Sequence, residues 1–350
     1  MRDWLVLALV FGLAAATTSA PAQDKAKADD KAAPKAEEKA APKADAKAAP
    51  KADEKPAAAG DKFDIRWKFE KEKKIYQEMV TKTTQAMKVM GMEVNQTQEQ
   101  TFYFSWELKD EDKDKNITLL QKIEGVKLQI DIAGNPIKFD SSSPGSANTS
   151  LAEFFKQLVG TEFKVTLDKD MRVVKVEGRD EFLKKLGQAN QTMEPLLKKV
   201  LNEDALKQMA DPAFGMVPGR PVAKGESWSR DSKLNLGPIG SYKNAYKYTL
   251  ENVNKDVADI RVDSTLVYEA PTESGEGLPF RIKSAKLQGK DSGGRIAFDM
   301  AKGRLDKQEL RVKLEGELDI EIAGTATKVE LKQDQTTTIT TSDESQLKKN

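Results

Sequence analysis

Beyond residue 62, apolar and polar residues alternate with a period of two along most of the chain. The cleanest run is Glu309–Ile322, ELRVKLEGELDIEI. Leu310, Val312, Leu314, Leu318, Ile320 and Ile322 share one side of it, and Glu309, Arg311, Lys313, Glu315, Glu317, Asp319 and Glu321 share the other. A helix would spread these apolar side chains around its axis, whereas a strand gathers them on one face. At about 3.3 Å per residue the run extends roughly 45 Å, more than twice the common strand length, and Gly316 at its middle offers a place to bend. Each apolar side chain contributes about 1.5–3 kcal/mol when fully buried, so this face needs a cover. The expected fold is mainly β (α+β): long antiparallel amphipathic strands in one or two curved sheets, with short helices over the apolar face.

The same alternation recurs upstream. Phe63, Ile65, Trp67 and Phe69 alternate with charged residues, Ile75 to Thr84 reads as a second strand, and Phe102, Phe104, Trp106 and Leu108 share one face of a third. Ile117 to Ile132 and a Gly134-Asn135-Pro136 turn continue the meander. Helices are expected after Ser150, whose spacing to Glu153 is that of a capping box, then from Asp180 as N-cap, from Pro195 at the first helical position, and over Asn202 to Ala210. Further strands are expected over Tyr242 to Leu250, Val257 to Tyr268, Phe280 to Leu287, Arg295 to Asp299 and Thr327 to Ile339.

Composition narrows the chemistry. The chain has 350 residues, with 57 basic and 56 acidic side chains intermixed, so no basic face for nucleic acid is expected. It contains no cysteine and no histidine. That removes disulfides, thiolate nucleophiles, histidine general bases and every Cys- or His-ligated metal site. Residues 1–22, with Arg2, an apolar run from Trp4 to Leu13 and Ala20-Pro21-Ala22, read as an export signal, which places the mature chain in the periplasm or outside the cell, with no membrane-spanning segment. Residues 23–62 contain three octads, KAAPKAEE, KAAPKADA and KAAPKADE, and read as a disordered spacer. The expected organisation continues with a first β-meander plus helices over 63–215, a second β-rich half over 216–342, joined to it or separate, and a disordered tail over 343–350.

Two segments carry a resemblance. With PGRPVAKGESW at Pro218 to Trp228 and VTLDKDMRVVKVEG around Asp168, the chain resembles an uncharacterised family of exported bacterial proteins, a domain of unknown function, over residues 63–342. The resemblance implies no activity and transfers no site residues. More loosely, long amphipathic strands under a helical lid look like the half-barrel lipoprotein and lipid carriers of the bacterial envelope. The hairpins around Asp168 and Asp299 also suggest an internal duplication.

Candidate chemistry is sparse. Asp110, Asp112, Asp114 and Asn116 have the spacing of a calcium loop, but Lys115 and Gln121 stand where that loop needs glycine and glutamate, so a charged hairpin turn is expected. Met79, Met87, Met90 and Met92, with Phe102, Phe104, Trp106, Phe154 and Phe155, are the candidate lining for an acyl chain, because flexible thioethers and aromatic rings adapt to such ligands; an ordinary core is the plainer reading of the same residues. Tyr242, Tyr246 and Tyr248 share a strand face and are candidates for stacking sugars. Nothing isolates a catalytic pair of carboxylates, and Ser227, Ser229 and Lys224 form no nucleophile motif, so neither enzyme activity nor a cofactor is expected. The readings left are a carrier or sensor of a hydrophobic small molecule, a structural or interaction protein that binds an envelope component, and a glycan-binding module.

Overall fold

The computed structural model of the protein describes residues 61–143, 150–189, 191, 194–272, 278 and 280–347. The expected export signal and all but the last two residues of the expected spacer lie outside the described residues. In chain order the strands are β1 (Lys62–Phe63), β2 (Lys74–Val89), β3 (Met92–Glu111), β4 (Ile117–Ile132), β5 (Asn135–Asp140), β6 (Glu162–Leu167), β7 (Val173–Glu177), β8 (Val222–Ala223), β9 (Ser227–Asn235), β10 (Ser241–Asn254), β11 (Val257–Glu269), β12 (Phe280–Asp299), β13 (Arg304–Ile322) and β14 (Thr325–Ser342). Twelve of them form one antiparallel sheet in the order β7-β6-β4-β3-β2-β14-β13-β12-β11-β10-β9, with β5 on the far half of β4; β1 and β8 pair separately.

The topology is two meanders joined at their centre. One runs outward from β2 to β7, and the other runs inward from β9 to β14. They meet where β14 pairs with β2, in register from Val329 opposite Val89 to Ser342 opposite Tyr76. The expected long strand is β13, which extends from Arg304 to Ile322. At its middle, Gly316 adopts φ +147°, and a Cβ there would lie 1.9 Å from the Lys286 carbonyl oxygen.

Several expectations need correction. Phe280 to Leu287 and Arg295 to Asp299 are one strand, β12, because Gly289 and Lys290 pair with β13 and Gly293 and Gly294 pair with both neighbours, the slack being absorbed as bulges. Lys62, assigned to the spacer, begins β1, and past Phe63 the alternating run is not a sheet strand. That run instead enters the interior: the Trp67 ring lies 5.4 Å from Phe298 and 5.7 Å from Phe214, and its Nε1 donates to the Phe214 carbonyl at 2.9 Å. The expected disordered tail begins with placed residues, since Asp343 pairs with Arg304 at 2.6 Å and Leu347 covers Gly125.

The helices are α1 (Ser150–Leu158), α2 (Arg179–Ala189), α3 (Glu194–Val200) and α4 (Glu203–Ala210). With Asp180 expected as cap, α2 starts two residues early, at Arg179, and α3 starts one residue before Pro195, at Glu194. Asn202 caps α4, its Oδ1 accepting the Ala205 N–H at 2.9 Å. Phe155 and Leu158 of α1 and Phe182 and Leu186 of α2 join the main core. Helix α4 packs against both β7 and β9, the two edges of the sheet. The sheet therefore curls until its edges share one helix.

Two apolar cores fill the curl. The larger contains Trp67, Trp106, Leu119, Tyr246, Ile260 and Phe298, and so draws on both meanders. The smaller gathers Met87, Val89, Leu266, Leu314, Leu318 and Leu331 toward the other ends of the strands.

Candidate functional site

Between the two cores the inner face of the sheet changes character. On β3 the inward positions read Gln96, Gln98, Gln100, Phe102, Phe104, Trp106; on β2 they read Met79, Thr81, Thr83, Gln85, Met87. β14 supplies Gln333, Gln335, Thr337 and Ile339. Cross-strand register turns these into a polar belt: Gln333 faces Gln85, which faces Gln96, and Gln335 faces Thr83, which faces Gln98. All six are buried. Gln96 donates to Gln98 at 3.4 Å, Gln98 donates to Gln100 at 3.0 Å, and the Thr83 hydroxyl donates to Gln335 at 3.3 Å. The Thr81 and Thr337 hydroxyls share a bond of 3.2 Å.

Beside the belt lies an apolar strip. Met79 is paired with Phe102 on one side and Ile339 on the other, with Phe104 next along β3 and Leu310 on β13 opposite Thr337. The Phe102 and Phe104 rings stack at 5.6 Å and 11°. All five of these side chains are half-buried, and Phe102, Phe104, Leu310 and Ile339 pack against the larger core. Below the strip, Trp106 Nε1 donates to Gln77 at 2.8 Å, and Gln77 donates to Thr341 at 3.3 Å.

The candidate lining residues therefore separate. Met79, Phe102 and Phe104 come together on the strip. Met87 is packed in the smaller core and Trp106 in the larger. Phe155 is buried beneath α1, with Phe154 meeting it edge-on at 5.6 Å. Met90 and Met92 do not line the interior: they flank Gly91 at the tip of the β2–β3 hairpin, 68% and 57% exposed. Met90 sits with Gly91 in a tight two-residue turn, both at positive φ, and Met92 is the first residue of β3, directly after that turn.

Tyr242, Tyr246 and Tyr248 do share a strand face, but it is the inner one. All three are buried, with Tyr246 stacked on Tyr248 at 6.0 Å and Tyr248 on Trp228 at 5.7 Å. Burial pushes their hydroxyls to higher pKa, and no sugar platform is exposed there. The acidic turn uses its own carboxylate: Asp112 accepts the N–H groups of Asp114 and Asn116 at 2.8 and 2.9 Å and the Asn116 side chain at 2.8 Å.

The second feature is where the sheet's edges meet. Asp211, just after α4, accepts the Val173 N–H of β7 through Oδ1 at 2.7 Å and the Arg230 guanidinium of β9 through Oδ2 at 3.0 Å. One carboxylate thus ties both edge strands. Burial pushes its pKa up, against the opposing pull of Arg230 and the Val173 N–H. A cleft of about 350 Å³ opens beside this clasp, lined by Arg172, Val217, Pro218, Trp228, Arg230 and Asp231 among others. PGRPVAKGESW lies along it and is a turn: Glu226 accepts the Ala223 N–H at 2.8 Å and pairs with Arg220, delivering Trp228 onto Tyr248.

Sequence reasoning missed the glutamine belt and Asp211. The belt has a signal: extending the alternation of Phe102, Phe104 and Trp106 backward places Gln96, Gln98 and Gln100 on the apolar face. Asp211 has none, because its partners lie on strands distant in sequence.

Among the described residues, no helix is long and apolar enough to cross a membrane. No curated protein sequence matches the chain. Among solved structures, lipovitellin, from a study of its lipid–protein interactions, aligns at 9% identity and TM-score 0.39, covering 77% of this chain, which spans only 25% of the lipovitellin chain. An outer-membrane channel from Pseudomonas putida F1 aligns at 7% identity and TM-score 0.24, covering 81% of this chain and 100% of the channel. A family model matches residues 114–346, starting later than the resemblance read from the sequence, and it takes in both the Asp168 hairpin and the PGRPVAKGESW turn. By that match the chain belongs to the family of unknown function DUF6263.

Proposed function

We propose that this is an exported, non-enzymatic protein that carries or senses a hydrophobic ligand of the acyl or lipid class on the inner face of its curled sheet. The observation behind this reading is the strip of Met79, Phe102, Phe104, Leu310 and Ile339, neighbouring apolar side chains that stay half-buried on the inner face beside the larger core. Apolar area left in water forgoes about 25 cal/mol per Å², so a strip of this kind favours an apolar occupant. The absence of histidine and cysteine supports a binding rather than a catalytic role. Export rests on residues 1–22.

Native mass spectrometry followed by organic extraction, on the full chain purified from an exporting host, tests this. Acyl-bearing mass should co-purify, and Phe102→Glu/Phe104→Glu, which places charge in the strip, should abolish it. A clean protein mass, with no uptake of added oleate or 1-monooleoylglycerol, overturns the carrier. It would favour a structural or interaction protein of the envelope, a reading supported by the two packed cores.

A further inference from the structure

One row of the glutamine belt is poorly satisfied by the fold itself. Gln85, Gln96 and Gln333 are 1%, 2% and 3% exposed, and they form one cross-strand row over β3, β2 and β14. Both amide atoms of Gln85, both of Gln333 and the Oε1 of Gln96 have no hydrogen-bond partner among the described residues. An unpaired buried polar group costs about 1–3 kcal/mol, whereas apolar side chains of similar shape are nearly neutral or stabilising in such a place. A row selected only for stability would read like the neighbouring Met87 and Leu331.

We infer that this row is the headgroup site for the ligand whose apolar part lies on the strip, and that the headgroup is uncharged. This rests on the carrier reading above. The chemistry follows from what the face presents. Each amide offers two donors and an acceptor oxygen but no net charge. Every inward position from Gln77 to Val89 on β2, from Gln96 to Leu108 on β3 and from Thr327 to Thr341 on β14 is uncharged. A carboxylate or phosphate held there would be desolvated without a cation, at a cost of several kcal/mol per ion. A hydroxyl, ester or amide head both donates and accepts, and matches the row. The hydrogen-bonded run Gln96–Gln98–Gln100 leads on β3 directly to Phe102, so polar and apolar halves of one site are continuous.

The test uses three oleoyl compounds that differ only in their head: 1-monooleoylglycerol, oleate and oleoyl lysophosphatidate, each titrated against the full chain. Monooleoylglycerol should bind at least tenfold tighter than the two anions. Gln85→Leu/Gln333→Leu should weaken it tenfold or more and leave oleate unchanged, with an unfolding midpoint equal to or above that of the parent. Gln333→Leu alone carries the same expectation if the double variant does not fold. Equal affinity for the three heads, tighter binding of an anion, or indifference to the substitutions overturns the headgroup assignment and leaves the strip in place. Failure of all three compounds to bind overturns both.

Discussion

The sheet is joined in two places, and the joints are unlike. At its centre, β14 and β2 meet along a backbone ladder from Val329 and Val89 to Ser342 and Tyr76, a joint that depends on main-chain groups and tolerates many side chains. At its edges, β7 and β9 are brought together by α4 and by one buried carboxylate, Asp211. The first joint holds the architecture. The second is local, depends on side chains and borders a cleft, so it is where the curl opens at least cost.

The comparison can be broken at the central joint first. Deleting residues 325–350 removes β14 and leaves β2 and β13 as two raw edges. It should abolish cooperative thermal unfolding followed by circular dichroism; a preserved transition would mean that the two meanders fold independently. Next in size is Asp211→Ala, which leaves the Arg230 guanidinium buried and unpaired and should cost about 3–5 kcal/mol. Hydrogen exchange should then accelerate in β7 and β9 before β2 and β14, and Asp211→Leu/Arg230→Met should recover most of the loss. Uniform acceleration would show the edge joint to be no weaker than the centre. Gly316→Ala, at φ +147° and against the Lys286 carbonyl, should cost at least ~1–3 kcal/mol in denaturant unfolding, by straining the ladder between β12 and β13.

The smallest effect concerns the tail that follows β14. The Arg304 guanidinium, with Lys302, lowers the pKa of Asp343 to about 2. Because the folded value lies below the unfolded one of 3.8, this pair stabilises above pH 3.8 and is lost as the pH falls through about 2. Asp343→Asn should therefore narrow the stability gap between pH 5 and pH 2, by a small amount because the carboxylate is half-exposed. An unchanged gap would remove this pair from the account of the tail.

Much of the strand content was legible because alternation is a local signal. Glu309 to Ile322 and Phe102 to Leu108 declare their dry face without any partner in view. What was not legible is non-local or runs against residue preference. The stretch Gly289 to Gly294 falls between two expected strands, yet neighbours on both sides keep it in the sheet. The pairing of Val89 with Val329 has no sequence mark, since 240 residues separate them. Of the candidate lining, Met79, Phe102 and Phe104 are adjacent across β2 and β3, a pairing that the sequence does not mark. Met90 and Met92 were misplaced because periodicity says nothing about where a hairpin turns. The glutamines were passed over because polar residues on a dry face look like noise until the strands beside them repeat the pattern.

The central position of β14 also sets the order of assembly. A ribosome delivers the chain from its N-terminus, so β2 emerges long before β14 and keeps one long edge unpaired until residue 342 is free. Contacts this distant in sequence form slowly. The molecule stays incomplete, and open to chaperones or to mispairing with other chains, until β14 has been released.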